Sequence, residues 1–246
     1  MFAMKRLTYR FSSFPCHYGM LILLLCILCT LSCRQPAAEE TQPDATADAA
    51  VEPQLQSADL IFVGIPADYR IFDTSSFGNV DAPLNYIHVA ILEVDGDSLW
   101  VIDATAKRGV HRHPLDTLLA DFTLRDGSLP SLVVMRLVNA DDPARFIAAA
   151  KQYIGQPYDF DFSLTNQAQY CSELVYNSFL SPGNQHLLPL CPMDFNGSDG
   201  KIMPYWQDLF DWLKAPVPQG VIGTVPNDMC SNPDLRYVTT LGSSKL

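Results

Sequence analysis

The apolar positions before residue 140 fall into short runs that are typical of β-strands. Each run is rich in β-branched or aromatic residues and is bounded by Gly, Pro, Asn, Asp or Ser. The runs are Asp59–Val63, Tyr86–Val94, Asp97–Thr105 and Ser131–Leu137. Because Asp95-Gly96 separates the second run from the third, we predict a β-hairpin with a two-residue turn, in which Val94 lies opposite Asp97.

After residue 140 the apolar positions recur at helical spacing. Asp142 and Pro143 form a helix start, and Phe146, Ile147 and Ala150 follow on one helix face. Further helices are predicted at 115–121, 171–180 and 206–213. Strands that come before the helices, instead of alternating with them, predict an α+β fold.

Residues 1–32 have the pattern of a secretory signal peptide. Three basic residues precede an uncharged run at 20–31, which is too short to span a bilayer comfortably. A small residue and then Cys33 follow, as at a bacterial lipoprotein cleavage site, although Thr30 stands where a large apolar residue is usual. We predict a lipid anchor on Cys33; the alternatives are an ordinary signal peptide and an anchor that stays uncut.

Residues 33–57 are predicted to form a disordered tether, and residues 58–246 one globular domain. The tether segment has no aromatic residue, so it cannot bury enough apolar area to offset the entropy lost on ordering. Together the segments predict an exported, membrane-anchored lipoprotein that faces the periplasm or the exterior of a Gram-negative, Bacteroides-like cell.

The charge balance argues against a nucleic-acid-binding protein. Sixteen Lys and Arg against 27 Asp and Glu give a formal net charge of −11, whereas nucleic-acid-binding surfaces are basic. Beyond Cys33 the chain holds Cys171, Cys191 and Cys230. The last two form a disulfide or are both free, and their spacing alone does not decide between these states.

No metal site and no cofactor are predicted. His111 and His113 resemble a metal-ligand pair, but no acidic or cysteine ligand follows at metal spacing and Pro114 comes next. We therefore interpret residues 111–113 as a solvated loop. No glycine cluster that could hold a phosphate follows a predicted strand.

The hairpin predicts one polar pair on an otherwise apolar sheet face. With the turn at Asp95-Gly96, His88 lies directly opposite Asp103. A carboxylate beside an imidazole fixes its tautomer and stabilises its cation. The alternative is a hydrogen-bonded core histidine, and a one-residue change of register would separate the pair.

Cys171 lies in the first turn of the helix predicted over 171–180, on the same side as the apolar Leu174 and Val175. The helix dipole at that end favours a thiolate, and the unpaired N–H groups there stabilise an oxyanion. A thiolate at a helix start, facing a histidine on a strand, is the papain-like arrangement. The alternative is a small buried hydrophobic residue.

Several sequence blocks carry a family resemblance. They are Ile87–Ala90, Val101–Ala104, Gly155–Asp159, Phe162 and Tyr170–Val175. In this content and order, with the histidine strand before the cysteine helix, residues 59–240 resemble the circularly permuted NlpC-type cysteine hydrolases, YiiX-like branch. The resemblance implies a papain-like α+β fold, in which an antiparallel sheet carries the histidine and a helix carries the cysteine.

The resemblance also implies roles for individual residues. Cys171 corresponds to the nucleophile and His88 to the general base and then acid. Asp103 corresponds to the residue that orients His88, a position where relatives often have Glu. Tyr170 would add a hydroxyl near the oxyanion.

The resulting prediction is a cysteine peptidase or amidase that cleaves an amide bond through a thioester on Cys171. The predicted partners are a cell-wall peptide or peptidoglycan fragment as substrate, and a membrane reached through the lipid on Cys33. One alternative is a lipid or acyl-ester hydrolase or an acyltransferase, and another is a non-catalytic binding lipoprotein. A broad apolar groove beside Cys171 would favour acyl chains, and a narrow polar one a peptide.

Overall fold

A computed structural model describes residues 54–73, 75 and 77–241, all within one compact unit. The predicted signal peptide, the anchor at Cys33 and most of the tether lie outside the described residues. The strands are β1 (Leu60–Pro66), β2 (Leu84–Asp95), β3 (Ser98–Thr105), β4 (Gly109–Pro114), β5 (Ser131–Leu137), β6 (Cys191–Pro192), β7 (Ile222–Gly223) and β8 (Leu235–Leu241). The helices are α1 (Leu115–Phe122), α2 (Pro143–Lys151), α3 (Cys171–Ser178), α4 (Pro204–Leu213) and α5 (Pro226–Cys230). None of the helices in the described residues has the length and apolar content needed to cross a bilayer.

Six strands form one antiparallel sheet in the order β4-β3-β2-β1-β5-β8, and β6 pairs with β7 in a small second sheet. β1 is central, with β2 on one side and β5 on the other. Six of its seven residues are buried, because helices cover both faces of the sheet, and this explains its almost continuous apolar sequence. The predicted α+β class with an antiparallel sheet is confirmed.

Two apolar clusters cover the two faces of the large sheet. One cluster joins Ile61 and Ala90 with side chains of α1 and α4. The other joins their neighbours Leu60 and Val89 with side chains of α2 and α3. Since strand side chains alternate between faces, the same strands supply both clusters, and the sheet lies between two layers of helices.

The predicted register of the β2–β3 hairpin is wrong by two residues. Asp95 pairs with Ser98, so the loop residues are Gly96 and Asp97. Gly96 has φ +59° and takes the first loop position, where a type II′ turn needs glycine. An even shift keeps every side chain on its predicted face, so His88 and Asp103 still share one side of the sheet.

The edge strand β4 forms where no strand is predicted. It pairs with β3, and its first residues also join the chain that leads from α2 to α3. The Val110 N–H donates to Gln156 O at 2.9 Å, and the Gly155 N–H donates to Val110 O at 2.9 Å. These bonds fix the segment before α3 to the edge of the sheet.

We expect Gly109→Ala to destabilise the protein more than Gly127→Ala. Both glycines have positive φ, +65° and +83°, so the intrinsic strain of an added Cβ is similar. A Cβ on Gly109 would lie 2.2 Å from Gln156 O, whereas one on Gly127 meets nothing within 4 Å. The free energy of unfolding in urea should fall by about 2 kcal/mol more for Gly109→Ala. Equal losses would contradict the contact between β4 and Gln156.

Candidate active site

Cys171 is the first residue of α3, and its side chain is buried. The helix begins there because Tyr170 is extended, with φ −96° and ψ 168°. The Glu173 carboxylate then accepts a hydrogen bond from the Tyr170 N–H at 3.3 Å, which satisfies one donor at the helix start. The apolar face of α3 packs on the same sheet face as Val89. The thiol therefore lies at the positive end of the helix dipole, next to β2.

His88 lies on β2 next to a β-bulge. The pairing with β1 skips Ile87, so that one residue of β2 has no partner immediately before His88. Bulges of this kind re-aim neighbouring side chains. The His88 ring interacts with Cys171, and this interaction acts to raise the pKa of His88. The ring also packs on Phe122 of α1, with ring centroids 4.6 Å apart.

Asp103 binds the other side of the His88 ring. Asp103 Oδ2 lies 2.8 Å from His88 Nε2, and both side chains are buried. The direct opposition predicted for this pair is wrong, because β2 and β3 pair two residues out of the predicted register, with Ile91 opposite Ile102. The two side chains meet because they share a sheet face. With Nε2 on the carboxylate, Nδ1 is the ring nitrogen left for the thiol.

The electrostatics of the site favour an imidazolium at His88 and a carboxylate at Asp103. Burial lowers the pKa of His88, but the Cys171 thiolate and the Asp103 carboxylate outweigh it, so the pKa is raised above its ordinary value. Burial acts to raise the pKa of Asp103, whereas hydrogen bonds from His113 and His88 bring it down to about 2. At neutral pH Asp103 is therefore ionised and His88 is protonated.

The interpretation of residues 111–113 as a solvated loop is wrong. They lie in β4, and His111 is the exposed one of the three. His113 is buried, with Nε2 2.9 Å from Asp103 Oδ1. Sequence reasoning missed His113 because its strand was not recognised; alternate residues of a strand beside β3 share the face of Asp103.

The Tyr170 hydroxyl, predicted near the oxyanion, accepts a hydrogen bond from the Thr224 N–H at 3.3 Å within the core. That bond counts against an oxyanion role, which stays a prediction for Tyr170. Tyr158 and Tyr205 both line the cavity next to His88, and a backbone bridge to Gln169 holds Tyr158 close to the start of α3. The N–H groups in the first turn of α3 lack partners within the helix and are donors for an oxyanion.

A cavity of about 400 Å³ opens beside His88. Its wall is largely apolar and aromatic, with contributions from α1, α4 and the segment before α3. The apolar wall includes Phe122, Phe160, Phe162, Trp206, Leu209 and Leu213. Besides His88, the charged residues of the wall are Lys107 and Asp121, whose Nζ and Oδ1 atoms bond each other at 3.2 Å.

Cys191 and Cys230 are free thiols and form no disulfide. Burial raises the pKa of each to about 11, with Asp228 adding to the effect at Cys191. Both are therefore protonated at neutral pH. In the part of the chain that the structure describes, no group of three or more His, Cys, Asp or Glu side chains is placed to hold a metal ion.

The chain is similar to a curated protein in sequence and to a solved structure in fold. Over 98 residues it is 30% identical to the uncharacterized protein YiiX of Escherichia coli strain K12. The matched segment covers 39% of this chain and 45% of YiiX. The chain thus matches less than half the length of that relative. The fold is similar to the crystal structure of metalloprotein yiiX from Escherichia coli O157:H7, DUF1105, with a TM-score of 0.53 and 22% identity. That similarity covers 76% of this chain and 97% of the other, and it concerns the fold alone.

The family is shown by a longer match. Residues 54–239 match the family described as permuted papain-like amidase enzyme, YaeF/YiiX, C92 family. The range includes His88, Asp103 and Cys171, and it confirms the resemblance to the YiiX-like branch of permuted papain-like hydrolases. The chain belongs to the C92 family of permuted papain-like amidases, which is a family of cysteine hydrolases of the peptidase or amidase class.

Proposed function

We propose that this protein hydrolyses an amide bond with Cys171 as nucleophile, His88 as general acid and base, and Asp103 as the residue that orients His88. The observation that supports this proposal is the buried contact of 2.8 Å between His88 and Asp103, beside a Cys171 that acts to raise the pKa of His88. An imidazole held by a carboxylate on one nitrogen and facing a thiol on the other is the arrangement that activates a cysteine nucleophile.

The reaction then proceeds in two steps. The Cys171 thiolate attacks the amide carbonyl carbon, and the first-turn N–H groups of α3 bind the oxygen as it becomes negative. His88 gives its proton to the amine, which leaves as the C–N bond breaks and a thioester remains on Cys171. Neutral His88 next takes a proton from water, the water attacks the thioester, and the carboxylic acid and the thiol are released.

The cavity beside His88 supports an acyl group of apolar character. A peptidoglycan fragment carries carboxylates and ammonium groups, whereas Lys107 and Asp121 in the wall already pair with each other. The remaining wall is mostly aromatic and aliphatic. Burial of the apolar surface of a ligand against such a wall is favourable. We therefore favour an N-acyl amine, with an acyl ester as the related substrate, over the cell-wall peptide predicted from the family resemblance.

A lipid anchor on Cys33 would suit this substrate class. It would keep the cavity close to a bilayer, in which compounds with long acyl chains concentrate. Both the anchor and the exported location remain proposals that rest on the sequence pattern. The binding-protein alternative lacks support from the site, because a pure binding role does not need an imidazole held by a buried carboxylate beside a cysteine.

We expect iodoacetamide at pH 6 to modify Cys171 at least about tenfold faster than Cys191 or Cys230 in the same protein. The reason is that His88 supplies a counter-cation for the Cys171 thiolate, whereas the other two thiols are protonated at this pH. Peptide mass spectrometry after timed quenching measures all three rates in one sample.

His88→Ala should abolish this preference, and His111→Ala should keep it, because His111 is exposed and makes no contact in the site that the structure describes. If Cys171 reacted no faster than Cys230 in the unaltered protein, Cys171 would be a buried hydrophobic residue and the nucleophile assignment would be wrong.

We also expect hydrolysis of N-acyl aminomethylcoumarins to speed up with acyl length. Each methylene that enters an apolar cavity contributes about 0.8 kcal/mol, so kcat/KM should rise by about fourfold per carbon until the cavity is filled. Acyl chains of two to twelve carbons test this, with acyl esters of the same lengths and peptidoglycan fragments as separate arms. Cys171→Ala should remove all of the activity.

Leu209→Asn should flatten the length dependence, since Leu209 lines the cavity. Trp212→Asn, three residues further along α4 and exposed, is the matched control and should leave the dependence intact. Cleavage of peptidoglycan fragments without any response to acyl length would favour the peptide substrate instead.

A further inference from the structure

His113 lies behind Asp103, on the side of the carboxylate that is remote from His88. His113 Nε2 is 2.9 Å from Asp103 Oδ1, while His88 Nε2 is 2.8 Å from Asp103 Oδ2. Each carboxylate oxygen thus has its own imidazole. All three side chains are buried, with exposed fractions of 1% for Asp103, 4% for His88 and 5% for His113.

The contacts of His113 determine its protonation state. Its Nε2 faces the ionised Asp103 carboxylate, and its Nδ1 lies 3.1 Å from the Pro114 carbonyl oxygen. A carboxylate and a carbonyl are acceptors that hold no proton to donate. Both ring nitrogens of His113 must therefore carry hydrogen, and the ring is an imidazolium.

A buried carboxylate is costly unless charged or polar groups compensate it. Among the groups that keep the Asp103 pKa low, the hydrogen bond from His113 has a larger effect than the one from His88. His113 also occupies Oδ1, so the carboxylate cannot rotate without breaking a charge-assisted hydrogen bond. The orientation of Oδ2 toward His88 therefore depends on His113.

We propose that His113 is a positioning residue of the active site: as an imidazolium it holds Asp103 so that Oδ2 binds His88 Nε2 and the opposite ring nitrogen faces Cys171. The inference rests on the proposed roles of Cys171, His88 and Asp103 and extends their series of contacts by one member. His113 touches no reacting atom; it acts through Asp103.

The charged surroundings of His113 are consistent with this assignment. Asp103 from β3 stabilises the cation, and Arg108 from the β3–β4 turn opposes it. Arg108 is itself paired with Asp121 of α1, which moderates the opposition. The position of the ring follows from the strand pairing, in which His113 of β4 lies opposite Val101 of β3. Val101 is two residues before Asp103, so all three side chains share one face of the sheet.

The test compares four full-length proteins: the unaltered chain, His113→Gln, Asp103→Asn and the double variant. The readout is the rate at which iodoacetamide alkylates Cys171 at pH 6, divided by the rate at pH 10, where a thiol ionises without help from an imidazole. A change in access to Cys171 scales both rates equally, so the ratio reports only the coupling between His88 and the thiol. His111→Gln on the same strand is the matched control, and thermal unfolding shows that each variant is folded.

We expect His113→Gln to lower this ratio by about tenfold, and to lower it by less than twofold when Asp103 is already Asn, because residues that act through one another are not additive. An unchanged ratio in His113→Gln, beside a reduced one in Asp103→Asn, would make His113 a structural residue and overturn the proposal. An equal loss in both backgrounds would do the same. A ratio in the unaltered chain no higher than that of Cys230 would instead refute the proposed function.

A second measurement needs no variant at His113. The measurement is made on the unaltered protein with 15N-labelled histidine at pH 7.5, which is about one unit above the pKa of a free imidazole. Both ring nitrogens of His113 should keep the 15N chemical shifts of an imidazolium at this pH. His111 on the same strand is the reference for an exposed ring. A neutral His113 ring at pH 7.5 would overturn the inference even if the variants failed to fold.

Discussion

The site depends on keeping one carboxylate ionised where almost no water reaches it. Asp103 is 1% exposed, and an isolated charge at such depth is strongly disfavoured. Two imidazoles, one on each oxygen, compensate the charge. Three neighbouring strands must then stand in one register, because β2, β3 and β4 each contribute one member of the group. The hairpin turn at Gly96 and the connection at Gly109 therefore matter to the chemistry as well as to the sheet.

The nucleophile comes from a different layer of the fold. α3 packs on one face of the sheet, while His88 and Asp103 share the other. The bulge at Ile87 lies immediately before His88, the residue that has to reach from the sheet to Cys171 on α3. An extra residue in β2 re-aims the neighbouring side chain, and the His88 ring interacts with Cys171 at the start of the helix. The short helix supplies both the buried apolar face that anchors it and the N–H groups that bind an oxyanion.

The apolar cavity and the charged group support each other. Phe122 packs on the His88 ring and also lines the cavity. A wall of this kind excludes water from the His88 imidazolium, and charges interact more strongly when water is excluded. The same wall offers apolar contact to a substrate. The surface that strengthens the catalytic electrostatics is thus also the surface that we expect to select the acyl group.

The sequence by itself determined the local features. The apolar runs located β1, β2, β3 and β5, the Asp142-Pro143 start located α2, and the block around Cys171 indicated both the helix and the family. Only the tertiary structure decided which residues meet. The hairpin register depended on which of two turns Gly96 would serve, a choice set by backbone dihedral angles and not by hydrophobic pattern. The role of His113 depended on β4, an edge strand with a weak pattern, whose partner Asp103 is supplied by another strand. Long-range pairing of this kind is fixed by packing and by the cost of burying charge, and neither is legible in a local window of sequence.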